Sequence, residues 1–234
     1  MEKSKIKRSK IEKDPDKDFK KKSPDEWLAA QTLKSLEEDR LNKVFRFIVA
    51  KDLDKLTKIK RDLKSSMNAS QQISEEDLKE RANRITEGDL KRLFEDMKVY
   101  VKASEIKDMI WEIDEDMDKS VTYQEFVNMY KRCVNDNEYL EPRKLFNLVQ
   151  FLMFDKEFEG KIIEEQTLEL LIIRYGRDGL NEQLDAIFGN DKAKGDEEKS
   201  ITYKEYIDKV NQMALKYHKS LREKRLEDVS KSKI

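Results

Sequence analysis

The sequence predicts an all-α protein, on three observations. Only 6 Gly and 3 Pro interrupt 234 residues, so chain-breaking signals are scarce. The large apolar side chains recur mostly at intervals of three and four, the period of a helix face. Charged residues make up 42% of the chain and the mean hydropathy is -0.90, which leaves limited apolar surface and predicts extended or disordered tails beside a small core. The length suits one or two small domains.

The elements follow in order. Residues 1–22 carry ten Lys or Arg against five Asp or Glu and almost no large apolar side chain, a composition expected to give a flexible basic tail. Residues 23–72 are expected to form an N-terminal helical extension and linker. Ser23, Pro24 and Glu26 give a cap, a first-turn proline and an acid three residues after the cap. Leu33, Leu41, Val44, Phe45 and Ile48, then Leu53, Leu56, Ile59 and Leu63, predict one long helix or two shorter ones. Residues 65–72 read as the linker. Beyond it, Ile73, Ser74, Asp77 and Leu78 form a staple and cap, and Ile85, Thr86, Asp89 and Leu90 repeat the pattern.

Residues Asp114 to Glu125 carry the most specific signal. Oxygen donors stand at positions one, three, five, seven, nine and twelve: Asp114, Asp116, Asp118, the Ser120 carbonyl, a water held by Thr122, and Glu125 closing through both oxygens. That is the ligand spacing of an EF-hand calcium loop, in which one short segment supplies the six to eight oxygens that a hard cation requires. Ile106, Met109, Ile110 and Ile113 before the loop, and Phe126, Met129 and Tyr130 after it, predict helices with inward apolar faces. Thr122 and Glu125 also form a capping box, flanked by Val121 and Phe126 as a staple. Position six, where the chain turns sharply and Gly is expected, is Lys119, which is expected to weaken affinity by about 1 kcal/mol. The competing reading is an acidic, solvated turn between two helices.

Val121, Thr122, Glu125 and Phe126 match Ile85, Thr86, Asp89 and Leu90, which implies an internal repeat. Asp89 precedes Asp114 by 25 residues, and Gln166 precedes Asp191 by 25. On these motifs residues 75–214 resemble the calmodulin-like proteins, in which four EF-hand units form two pairs. The resemblance implies a first pair over 73–135 and a second over 136–215, followed by a basic C-terminal helix and tail over 216–234. It also implies that three of the loops are degenerate. The first, from Leu78 to Asp89, has Leu78, Glu80 and Ala82 where oxygens are needed, and is expected to be a continuous or distorted helix. The third, Asp155 to Gln166, keeps Asp155, Gly160 and Ile162 but closes on a neutral amide. The fourth, Asp191 to Glu205, is three residues too long, carries Lys192, Lys194 and Gly195, and keeps Ile201, Thr202 and Glu205 as its exit. By the same resemblance, Ile85 faces Val121 and Ile162 faces Ile201 across short antiparallel contacts. Leu140 to Phe151 and Arg174 to Asp178 resemble segments of calmodulin-like proteins of ciliary axonemes.

The functional expectation is a calcium protein rather than an enzyme. His218 is the only histidine, and no phosphate-binding glycine loop is present. A single cysteine, Cys133, a net charge of -1, and the absence of a signal or membrane-spanning run predict a soluble, cytoplasmic protein without membrane or nucleic-acid partners. Calcium occupies one site in this reading, with magnesium as a resting occupant. A structural or regulatory subunit would grip an amphipathic partner helix inside a cytoskeletal assembly, with the microtubule surface of a ciliary axoneme attracting the basic tails. The alternative is a freely diffusing sensor that exposes Leu93, Phe94, Met97, Met109, Ile110 and Met129 as a groove.

Overall fold

Ten helices and one two-stranded antiparallel ribbon account for the regular structure of the described residues, in agreement with the all-α expectation. The structure is a computed structural model that describes residues 24–66, 74–136, 138–177, 179–189 and 199–231. The expected tail over 1–22, the Ser23 cap, Ile73, most of the linker over 65–72 and the first half of the loop from Asp191 lie outside the described residues. In order, the helices are α1 (Pro24–Val49), α2 (Lys55–Ser66), α3 (Glu75–Ala82), α4 (Glu87–Asp96), α5 (Ala103–Trp111), α6 (Tyr123–Asn135) and α7 (Lys144–Phe154). Strand β1 (Lys161–Ile163), α8 (Glu164–Tyr175), α9 (Leu180–Phe188), β2 (Ser200–Thr202) and α10 (Tyr203–Lys231) complete the chain. The N-terminal segment is therefore two helices rather than one, and Ser65 and Ser66 close α2 instead of opening a linker.

Local chemistry sets the helix starts. Ser74 accepts the Asp77 N–H at 3.0 Å, and reciprocal capping boxes join Thr86 to Asp89 and Thr122 to Glu125. Thr202 and Glu205 repeat the device, with the Thr202 N–H donating to the Glu205 carboxylate at 2.8 Å. Each box satisfies amide groups that a helix terminus otherwise leaves without partners. The box at Thr86 also decides the form of residues 78–89, expected as a continuous or distorted helix: the helix is interrupted. Helix α3 stops at Ala82 with Asn83 as its cap, and Ile85 is extended. Ile85 and Val121 exchange two backbone hydrogen bonds of 2.8 Å each, and Thr86 restarts the helix. A β-branched residue followed by a capping threonine outweighs the helical propensity of the preceding Lys-Glu-Arg-Ala run.

A second antiparallel pairing joins the later helices. Ile162 lies opposite Ile201 in the β1–β2 ribbon, flanked by Lys161 opposite Thr202 and Ile163 opposite Ser200. The ribbon ties the α7–α8 turn to the start of α10, as the Ile85–Val121 bridge ties the α3–α4 turn to the start of α6.

One buried cluster extends from Leu41 to Tyr206. Helix α1 runs through it, packing on α4, α6, α7 and α8. Leu41, Val44, Phe45 and Ile48 are buried, and Phe45 meets Phe126 and Tyr123 with ring centroids 5.3 and 5.1 Å apart. At about 2 kcal/mol for each buried aliphatic or aromatic side chain, this face of α1 contributes substantially to the core. Helix α7 is the central element of the second half, with Leu148, Val149, Phe151 and Phe154 fully enclosed. Tyr206 of α10 packs against Phe151 and Phe154. Leu93, Phe94, Met109, Ile110 and Met129, the groove candidates of the sensor alternative, are buried as core residues, and Met97 packs partly buried against them.

Ion pairs fix α1 against the second half. The Glu37 carboxylate accepts from Arg174 Nε at 2.8 Å and from the Tyr130 hydroxyl at 2.5 Å, so α1, α6 and α8 meet at one polar node. Burial, reinforced by Glu37, pushes the Tyr130 phenol above its ordinary range. Arg40 pairs with Glu169 one turn later. The Arg174 side chain is only 7% exposed, and a buried cation stripped of its carboxylate is strongly destabilising. Replacing Glu37 by Ala is therefore expected to lower unfolding free energy by about 3 kcal/mol. Replacing Glu37 and Arg174 together by Leu is expected to recover most of that loss, as measured by urea denaturation of the three proteins.

Candidate metal centre

The turn between α5 and α6 is shaped before any ligand is considered. The Lys119 N–H donates to one Asp114 carboxylate oxygen at 2.8 Å, and the Asp118 N–H donates to the other at 3.1 Å. Asp116 accepts from the Asp118 N–H at 3.2 Å, and Asp118 accepts from the Ser120 N–H at 2.9 Å and the Ser120 hydroxyl at 2.5 Å. Such aspartate-to-backbone bonds favour turns over helix. Met117 and Lys119 take φ values of 59° and 68°, so the lysine adopts the left-handed conformation that its position in the loop requires. A side chain with a Cβ is held there at some cost.

The α7–α8 turn has the same backbone course. Phe158 and Gly160, at the equivalent fourth and sixth positions, take φ values of 56° and 79°. The Glu159 and Gly160 N–H groups donate to the two Asp155 oxygens at 3.0 and 2.7 Å. The donors that follow differ. Glu157 and Glu159 replace the short aspartates, Gln166 closes the turn, and Lys161 pairs with Glu159 at 3.1 Å. Burial, reinforced by Glu159 against those N–H donors, raises the Asp155 pKa. This turn keeps the shape without the charge-dense oxygen set.

Of the predicted donors, the structure brings Asp114, Asp116 and Asp118 together. One carboxylate oxygen from each lies within 4.8 Å of the others. Oxygens bound at 2.3–2.6 Å to one calcium ion span separations of about this size, and the donor set is all oxygen, so the trio fits a hard divalent cation. Glu125 is not in that cluster. Its Oε1 accepts the Glu115 N–H and its Oε2 accepts the Thr122 N–H, each at 2.8 Å, with the Thr122 hydroxyl at 2.7 Å. Thr122 is thus engaged in the cap. Ser120 lies at the turn's exit, next to Val121 of the bridge to Ile85.

Like charge makes the cluster costly on its own. Partial desolvation, opposed by the Lys119 N–H and reinforced by Asp116 and Glu125, raises the Asp114 pKa. A cation among these groups would favour their ionised forms. The structure supplies one that the sequence reading missed: Arg84 reaches across the Ile85–Val121 bridge, pairs closely with Asp118 and lies 3.9 Å from Asp116. The signal available in the sequence was its place beside Ile85, since the neighbour of a bridging residue lies over the partner turn.

No protein-family model matches the chain, and no curated protein matches it.

Because Arg84 opposes a second cation at the same oxygens, its removal is expected to strengthen divalent binding. A unit charge at this range of a divalent ion contributes about 1 kcal/mol after screening. If the trio takes calcium, Arg84→Gln is therefore expected to tighten its binding about fivefold, measured by competition with a fluorescent chelator at low and high salt, with the gain shrinking at high salt.

Proposed function

We propose that the chain is a calcium-binding EF-hand protein arranged as two EF-hand pairs, with the Asp114–Glu125 loop taking the ion and the other loops serving as scaffold. Its role in this reading is that of a non-enzymatic structural subunit in a larger assembly. The observation that carries the metal reading is the convergence of Asp114, Asp116 and Asp118 on a turn whose backbone is already held by their own carboxylates. A bound divalent ion supplies the positive charge that offsets their mutual repulsion. The Ser120 carbonyl, a water on Thr122 and the Glu125 carboxylate are the further donors. Magnesium, which needs fewer protein oxygens and keeps its waters, suits the three aspartates alone. Calcium, with its larger shell, draws on Glu125 as well.

The burial of α1 favours the structural role over the diffusing sensor. A sensor requires an apolar face that opens to a partner helix, and here the chain's own α1 lies on that face, with Phe45 against Phe126 and four of its apolar side chains enclosed. Partner contact then falls to the outside. In the last part of α10, Lys216, Lys219, Arg222, Lys224 and Arg225 are exposed, with Glu223 the one acid between them. Among the described residues no helix is long and apolar enough to cross a membrane. We therefore retain an acidic protein polymer, the microtubule surface, as the docking surface to test.

Titration calorimetry is expected to give one calcium-binding event, and Asp114→Ala is expected to remove it; an unchanged heat in that variant would discard the metal assignment. Trp111 is 78% exposed and lies three residues before Asp114, so its emission reports movement of α5. Under the structural reading calcium changes that emission only slightly. For the assembly role, wild-type protein is expected to pellet with microtubules in low salt. Replacement of Lys216, Lys219 and Arg222 by Gln is expected to weaken pelleting severalfold, by the roughly additive logic of screened surface charges.

A further inference from the structure

At the start of helix α2 a lysine is turned inward while the leucines on either side of it face out. Leu53, just ahead of it, is 85% exposed and Leu56 is 47% exposed, whereas the Lys55 side chain is 6% exposed. What draws the lysine inward is the α3–α4 turn. Its ammonium donates to Asp89 Oδ2 at 2.7 Å and to the Arg84 carbonyl, and lies 3.5 Å from the Val49 carbonyl. The Asp89 side chain is fully enclosed. Its oxygens also accept the Asp52 N–H at 3.0 Å and the Thr86 N–H and hydroxyl at 2.8 Å each.

Those partners have a register. Counted from Leu78 as Asp114 is counted in the later loop, Arg84 holds the seventh position and Asp89 the twelfth, matching Ser120 and Glu125. A carbonyl at seven and a carboxylate at twelve are cation ligands in such a loop. The first turn has lost the oxygens of positions one and five, where Leu78 and Ala82 stand, and has kept those of its exit side, and on these the ammonium sits. The approach is close: the Asp52 carboxylate lies over Gly88, where a Cβ would come within 2.4 Å of it. Asp52 in turn pairs with Lys58 at 2.7 Å and with Arg92 at 3.2 Å.

We propose that the Leu78–Asp89 turn is a cation site whose occupant is the chain's own Lys55 ammonium, a tethered substitute for a free ion. It locks α2 onto the first helix pair and holds the turn closed whether or not calcium is present. The register rests on the EF-hand reading proposed above, but the occupancy does not require any ion at Asp114. By fixing Arg84 and Ile85, the tethered charge presents a finished partner edge to Val121.

The test is thermal unfolding of the full chain in excess chelator, so that no result depends on calcium. Lys55→Met, which keeps the aliphatic stem, is expected to lower Tm by at least about 5 °C. Lys55→Ala is expected to lose as much and to regain several degrees with propylammonium relative to equal tetramethylammonium. The wild type and Lys55→Ala/Asp89→Asn are expected to show no such selectivity. If Lys55→Ala does not fold, the double variant is expected to restore folding, because it removes the enclosed carboxylate as well. A wild-type Tm in Lys55→Met, indifference of Lys55→Ala to the choice of amine, or failure of the double variant to improve on an unfolded single variant would each overturn the proposal. Asp114→Ala leaves all these outcomes as stated, so failure of the calcium assignment is distinguishable from failure of this one.

Discussion

Helix α1 fills the space where the apolar faces of the two halves meet, and the rest of the molecule is arranged around it. A chain with 42% charged residues has few apolar side chains with which to close two separate small cores. A third apolar surface shared by both halves answers that shortage, because α1 packs on α4 and α6 of the first half and on α7 and α8 of the second. Phe45 lies on Phe126 of the first half, while Phe47 stacks on Phe158 of the second at 3.9 Å. The ion pairs of Glu37 and Arg40 with α8 add direction to a contact that hydrophobic burial alone leaves nonspecific. Exclusion of water from the Glu37–Arg174 pair makes it sensitive to loss of one partner rather than a large net source of stability.

Charge placement follows a second rule: carboxylates within turns and at helix ends are matched by cations from elsewhere in the chain. Asp89 receives Lys55, Asp118 receives Arg84, and Asp136 receives Arg143 at 2.9 Å. Backbone N–H groups complete the set at Asp114 and Asp155. The turns are in this way held in shape by interactions internal to the protein. Cys133 belongs to the same region but not to this chemistry; burial pushes its thiol up to about 11, which keeps it protonated and unreactive at neutral pH.

What the sequence disclosed and what it concealed divide by range. Caps at Ser74, Thr86, Thr122 and Thr202 were legible because donor and acceptor lie three residues apart and the side-chain types identify them. The Ile85–Val121 and Ile162–Ile201 contacts followed from the family resemblance, which implies a short antiparallel pairing at those positions. The three aspartates of the candidate centre were legible by spacing alone. The interior position of α1 was not, since an amphipathic stripe has the same period whether it faces solvent, a partner or its own chain. Lys55 and Arg84 were hidden for a related reason: each meets its carboxylate 34 residues away, and a lysine in a polar helix is ordinarily solvated. The cap at Thr86 and the contact of Ile85 with Val121 already implied an interruption of the Leu78–Asp89 run; its place, at Asn83, carries no glycine or proline to mark it.

The degree of prior order in the Asp114 turn bears on what an ion can accomplish there. The Asp114 carboxylate already holds the Lys119 and Asp118 N–H groups, Lys119 already has its left-handed φ, and the turn's exit is already paired through Val121. Under the proposed assignment, calcium would replace Arg84 at Asp118 and recruit Glu125 from its cap on Thr122. Recruitment exchanges one set of hydrogen bonds for ligation and does not require the turn to fold. A ligand shifts a conformational equilibrium only by its differential affinity for the two states, and a site this nearly assembled leaves little differential to apply. Opening the helix pair would also have to strip Phe45 of its contacts with Phe126 and Tyr123, a loss of about 2 kcal/mol or more for one aromatic side chain. Both considerations point to an ion that stabilises an existing arrangement, which is the behaviour of a structural subunit rather than of a switch.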